Sequence, residues 1–203
     1  MVVNTGSGQI LCIVGARPNF MKIAPIIRAF SHSSSRLSAR LLHTGQHYDS
    51  AMKHAFFDQL HIPEPDIDLE VGSGSHARQT ADIMTRFVPV LDEIPAAAVL
   101  CVGDVNSTIG CALVAVKKSI PVIHVEAGLR SGVRSMPEEI NRVLTDSISD
   151  LLFCTEQSGM DNLKREGVAE DKCFMVGNCM VDTLLHNIEK ARQSKILDEL
   201  GLT

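Results

Sequence analysis

The chain has 203 residues, 45% hydrophobic and 21% charged, with a formal net charge of -5. That length supports one ordinary domain with a real core, or two very small ones, and the composition is that of a soluble globular protein. The acidic balance argues against nucleic acid or an anionic membrane as the main partner, because both need a basic face; a small anionic ligand, which needs only a local group of Arg and Lys, stays open.

In chain order, "ILCIVG" (10–15) predicts a first strand and "NFMKIAPIIRAF" (19–30) a helix. A second strand lies within 36–45, a helix over 48–60 and a third strand over 66–71. A long helix is expected over 75–94, with Ser75 as its N-cap. A fourth strand (97–104) leads to a helix (107–118), and a fifth (121–127) to a helix over 137–149. A sixth strand (151–156), a helix (158–167), a seventh strand (172–178) and a last helix from 181 to 200 complete the pattern. Short apolar strands alternating with helices imply an α/β fold: a doubly wound, mostly parallel, Rossmann-like sheet covered on both faces. The expected organisation is a Rossmann-like domain over 1–180, then a C-terminal helix over 181–203 that ends with nothing after it in sequence to pack against.

No apolar run approaches the roughly 20 residues of a membrane span, and the start lacks a basic n-region, so no membrane association and a cytoplasmic location are expected. Cys12, Cys101, Cys111, Cys154, Cys173 and Cys179 show no CxxC spacing. Buried free thiols in a reducing cytosol are the preferred reading, over disulfides or metal. The histidines form no HxH or HExxH pattern, so no metal is expected.

In an open parallel sheet, ligands bind beyond the carboxyl ends of the strands, where the strand order reverses. Arg17 and Lys22 follow the first strand, Gly103-Asp104 the fourth, and Glu126 the fifth. If the first strand neighbours the fourth, these side chains face one crevice. Each also has an ordinary explanation. Asp104 can cap the next helix, Arg17 can lie on a surface loop, and Lys22 can be a solvated helix position. Glu126 resists such a reading, because a carboxylate directly after "VIHV" must be paired or protonated if buried. Glu138 follows Pro137 at a helix start, where the helix dipole favours an acid as well as catalysis does. Glu139 and Arg142 are read as a helix-face ion pair. "GSGSHA" (72–77) is read as a flexible turn rather than a phosphate loop, and neither GxGxxG nor Walker A occurs. His47, in "TGQHYD" after the second strand, suits a site lining or a surface turn about equally. Together, several carboxylates near cations suit general acid–base work, and the cations with helix N-termini suit a phosphate.

"GARPNFMKIAPII", "TGQHYD", "GDVNST", "HVEAGLRS" and "MPEEINRVLTD", in this order and spacing, resemble the non-hydrolysing UDP-N-acetylglucosamine 2-epimerases over nearly the whole chain. The resemblance implies the N-terminal domain of a GT-B-like two-domain fold, with the active site between the halves. It implies interconversion of UDP-GlcNAc and UDP-ManNAc: UDP leaves with the C2 proton to give 2-acetamidoglucal, then adds back as a proton reaches the opposite face of C2. It implies no cofactor, neither NAD nor metal. By motif position, Asp104, Glu126 and Glu138 match the family's catalytic acids, with acid and base unassigned. Arg17 and Lys22 match its basic cleft residues, and Gln46, His47 and Arg130 fall in motifs expected to bind substrate. Family members are nearly twice as long, and their second domain, with its "HRRE"-like motif, is absent here. Activity is therefore expected to need a second domain, with a homodimer or a separate C-terminal partner left open. The alternatives are a non-catalytic or split nucleotide-sugar-binding domain, a hydrolysing UDP-GlcNAc 2-epimerase, and a GT-B transferase.

Overall fold

The computed structural model describes residues 8–45 and 57–202. Among these residues, seven strands form one sheet: β1 (Gln9–Val14), β2 (Ser38–His43), β3 (Ile67–Asp68), β4 (Ala98–Val102), β5 (Val122–Val125), β6 (Leu151–Cys154) and β7 (Cys173–Met175). Their order is β3-β2-β1-β4-β5-β6-β7, and every neighbouring pair is parallel. The chain winds outward from β1 to β3, returns, and winds outward again from β4 to β7. The switch point therefore lies between β1 and β4, whose register pairs Ile10 with Ala98 and Ile13 with Cys101.

Besides helical residues 57–60, the described residues form α1 (Arg17–His32), α2 (His76–Glu93), α3 (Asn106–Lys117), α4 (Pro137–Ile148), α5 (Gln157–Arg165), α6 (Cys179–Arg192) and α7 (Ile196–Glu199), which connect or follow the strands. The alternation of side chains along each strand divides the core between two faces. Ile10, Cys12 and Val14 pack with Phe20, Ile23 and Ile27 of α1 on one face. Leu11 and Ile13 pack with Ile83 and Phe87 of α2 and Cys111 of α3 on the other. With both faces covered, β1 from Ile10 onward and β4 are apolar throughout, as a parallel sheet requires.

Ser75 caps α2 as expected, accepting from the backbone N–H of Arg78 at 3.4 Å. The third strand is shorter than the predicted 66–71. Leu69 and Val71 still donate to His43 O and Thr44 O, but Glu70 at φ 50 turns the chain out of the ladder. The last helix is broken rather than continuous. Ser194 accepts from the backbone N–H of Ile196, and this local bond competes with the helical pattern. Most of the helix expected over 48–60 lies outside the described residues; residues 57–60 are helical. Among the described residues, no helix is long and apolar enough to cross a membrane. The Cys thiols are free, and Cys12, Cys101, Cys111 and Cys154 are buried. Burial pushes the Cys12 thiol up to about 12, so it behaves as a small apolar side chain.

Candidate active site

The crevice at the switch point is built from three turns and one helix start. At the end of β1, Asn19 fixes the turn into α1. Its Oδ1 accepts from the N–H groups of Gly15 and Ala16, each at 3.0 Å, and its Nδ2 donates to Val102 O at 2.9 Å. One side chain thus ties the turn after β1 to the end of β4. Arg17 stands exposed at the first position of α1. Lys22, further along the helix, is buried at 8% exposure and forms an ion pair with Glu126.

That ion pair lies over Gly103. A Cβ built at Gly103 would stand 2.8 Å from Lys22 Nζ and 3.4 Å from Glu126 Oε2. Gly103 also has φ +70, a left-handed conformation that a side chain disfavours. Glycine is therefore required here twice, once by the backbone and once by the cation resting on it. Glu126 itself is left-handed at φ 72, which is uncommon for a residue with a side chain. Such a conformation costs about 1–3 kcal/mol and persists only where its surroundings fix it.

Asp104 does not cap α3: the N-cap is Val105, with no side-chain capping bond. Instead Asp104 accepts from Arg142 of α4 at 2.5 Å. Arg142 donates its other terminal nitrogen to Glu139 at 2.9 Å. Glu139 and Arg142 are thus paired as their spacing suggests, but inward, with only 3% of the Glu139 side chain exposed. Glu139 also accepts from the backbone N–H groups of Ser131 and Gly132 at 2.9 and 3.0 Å. Burial by itself raises the Glu139 carboxyl. The hydrogen bonds from Ser131, Arg142 and Gly132 outweigh it and bring the group down to about 2.

A measurable pH dependence follows. The folded value is below the ordinary 4.5, so the unfolded chain takes up the proton first as pH falls. The stabilisation from Glu139 is complete above about 4.5 and is lost as pH approaches about 2. In urea melts, the stability difference between wild type and Glu139→Gln should shrink across that window. A difference that stays constant from pH 5 to about 2 contradicts this role.

Glu138 lies in the first turn of α4, and among the described residues its side chain makes no hydrogen bond or ion pair. Asn141 and Arg142, three and four positions on, share its helix face. Both reach the turn after β4: Asn141 donates to Asp104 O at 2.8 Å, and Arg142 pairs with the Asp104 carboxylate. The face that carries Glu138 is therefore turned toward Asp104. Arg130 is held by two carboxylates, with its guanidinium against Asp146 at 2.7 Å and Glu166 at 2.6 Å. Gln46 and His47 lie outside the described residues.

The structure thus brings Lys22 to Glu126 around Gly103 and turns the Glu138 face toward Asp104. Sequence reasoning missed Asn19, which reads as a helix residue, and the attachment of Arg142 to Asp104 across 38 positions. It also missed His124 and Asp146. The available signal was a histidine inside an apolar parallel strand, which requires a buried partner.

The sheet is Rossmann-like, with carboxylates and cations gathered at its switch point, and it corresponds to the N-terminal half of longer, GT-B-like solved structures. A family profile described as UDP-N-acetylglucosamine 2-epimerase matches residues 30–202, and the chain belongs to that family. A UDP-N-acetylglucosamine 2-epimerase homolog of Methanococcus maripaludis is 45% identical over 197 residues, covering 96% of this chain and 54% of its own length. A UDP-2,3-diacetamido-2,3-dideoxy-D-glucuronate 2-epimerase of Pseudomonas aeruginosa is 43% identical, covering 90% of this chain and 52% of its own. The crystal structure of Methanocaldococcus jannaschii UDP-GlcNAc 2-epimerase, in complex with UDP-GlcNAc and UDP, superimposes with a TM-score of 0.89 at 42% identity. That match covers 95% of this chain and 52% of the other. The chain spans about half the length of the curated relatives it matches.

Proposed function

We propose that this chain supplies the N-terminal half of a site that epimerises UDP-GlcNAc and UDP-ManNAc at C2 without net hydrolysis. The observation that carries the reading is the Lys22–Glu126 pair lying over Gly103 at the switch point, with Asp104 paired to Arg142 in the next residue. In the reaction, a carboxylate takes the C2 proton, the C1–O bond breaks with its electrons passing to UDP, and a C1–C2 double bond forms. UDP then adds back to C1 as a proton is delivered to the other face of C2. Two faces need two proton-handling positions, and Asp104, Glu126 and Glu138 are the three candidates. Arg17 and Lys22 balance the leaving diphosphate, aided by the N-terminus of α1. Gln46, His47 and Arg130 are assigned to substrate contacts. No cofactor enters the scheme, and the free thiols support a reducing, cytoplasmic setting.

Residues 1–180 are assigned to the nucleotide-sugar half and 181–203 to the segment leading from it, although α6 already begins at Cys179. Phe174, Met175, Val176, Val181, Leu184 and Leu185 are exposed by 43–63% along β7 and α6. An apolar surface of that extent favours a second reading, in which the chain acts only when a further domain or partner covers it. The test is incubation with UDP-GlcNAc in D2O, following the C2 proton by NMR. Exchange with appearance of UDP-ManNAc supports epimerisation by the chain itself. Absence of both exchange and UDP-ManNAc at high protein concentration rules out activity of the chain alone, and free UDP with ManNAc as main products favours hydrolysis.

A further inference from the structure

His124 sits in the middle of β5 with 1% of its side chain exposed. Its Nε2–H donates to Gly103 O at 2.8 Å, which fixes one proton on that nitrogen because a carbonyl only accepts. Its Nδ1 meets Asp146 Oδ1 at 2.6 Å. The other Asp146 oxygen accepts from Gly128 N at 3.0 Å and from Arg130 at 2.7 Å. Arg130 in turn donates to both oxygens of Glu166, at 2.8 and 2.6 Å. Burial raises the Asp146 carboxyl, but His124 and Arg130 more than reverse it and hold the group low.

The spacing gives this chain of contacts its meaning. Glu126 lies two residues after His124 and two before Gly128, and Asp146 binds both: the imidazole through Oδ1 and the Gly128 N–H through Oδ2. One buried carboxylate thus brackets the left-handed Glu126 from both sides. Through His124 it also anchors the Gly103 carbonyl, in the peptide that joins Gly103 to Asp104. Two of the three carboxylates at the crevice are therefore placed by the same pair of side chains.

We propose that Asp146 and His124 are positioning residues for the crevice: Asp146 holds Glu126 in its left-handed conformation, and His124 fixes the peptide that carries Asp104. The catalytic consequence rests on the functional reading given above. The structural claim stands by itself and has its own readout.

Three variants test it. Glutamine places its amide nitrogen near the Nε2 position of histidine, and asparagine near the Nδ1 position. His124→Gln keeps the donor to Gly103 O, whereas His124→Asn loses it. The backbone amide and Cα NMR signals of Asp104 are expected to move in His124→Asn and to stay near wild type in His124→Gln. Those of Glu126 are expected to move in Asp146→Asn. Displacing a supporting partner of this kind lowers activity by about 10–100-fold. The C2 exchange rate should fall by that amount in Asp146→Asn and His124→Asn, through kcat rather than KM, and recover to within about threefold in His124→Gln. Equal behaviour of the Gln and Asn variants in the NMR signals overturns the role of His124. Unmoved Glu126 signals in Asp146→Asn overturn the role of Asp146. If Asp146→Asn does not fold, the His124 pair still decides for the bracket it shares. Absence of exchange in wild type counts against the functional reading alone, and the chemical shifts still decide the positioning claim.

Discussion

Glu126→Gln is expected to lower C2 proton exchange by about 10²–10⁴-fold, the range for losing a positioned acid–base group, while changing substrate affinity less than tenfold. The substitution keeps shape and volume. The amide oxygen of Gln can still accept from Lys22, so the crevice stays closed over Gly103. What is lost is the ability to take or give a proton and the negative charge that balances Lys22. An uncompensated Lys22 cation increases attraction for a diphosphate, so binding should hold or tighten while turnover falls. The check is a parallel measurement of exchange rate and UDP-GlcNAc affinity, with melting temperature as a control for folding. A variant that exchanges at more than a third of the wild-type rate removes Glu126 from the chemistry. One that loses affinity and rate equally makes it a binding residue.

Arg142→Met should cost about 2–3 kcal/mol and lower Tm by about 4–12 °C. Removing one partner from a buried ion pair strands the other charge, and here two carboxylates are stranded, Asp104 and Glu139. The estimate sits below the range for fully buried pairs because Asp104 keeps 23% of its side chain exposed. Arg142→Lys should restore little of the loss. The arginine fork reaches Glu139 with one nitrogen and Asp104 with the other, and a lysine offers a single point charge. Adding Glu139→Gln to Arg142→Met should recover part of the loss, because one stranded charge is gone. A lysine variant as stable as wild type contradicts the bridging role.

How much of this was legible beforehand depends on the distance over which each feature is determined. The strand–helix alternation is local, and the expected order of β1 beside β4 is what a doubly wound sheet gives; both are observed. The gathering of Lys22 with Glu126 follows from that order. Which face of α4 points inward does not. The spacing of Glu139 and Arg142 allows a pair on either face, and only the packing of α4 against the turn after β4 buries it. The pairing of Asp104 with Arg142 likewise replaced the local capping bond, because a cation at 2.5 Å offers a stronger interaction than a backbone amide. His124 is a histidine within the apolar run "VIHV", but its partner stands 22 residues away, beyond any local pattern.

The strand order also governs how the chain matures on the ribosome. β1 precedes the other six strands of this sheet in sequence, yet it ends in the interior of the sheet. One of its edges closes early, when Ser38 arrives opposite Gln9. The other edge waits for Ala98, which pairs with Ile10. Until then an apolar strand carries unpaired backbone groups along one side, the kind of surface that nascent-chain chaperones bind. The crevice completes later still, since Arg142 must be made before Asp104 has its partner. Truncations that stop short of α4 should therefore leave β1 through β4 paired but the charged cluster open.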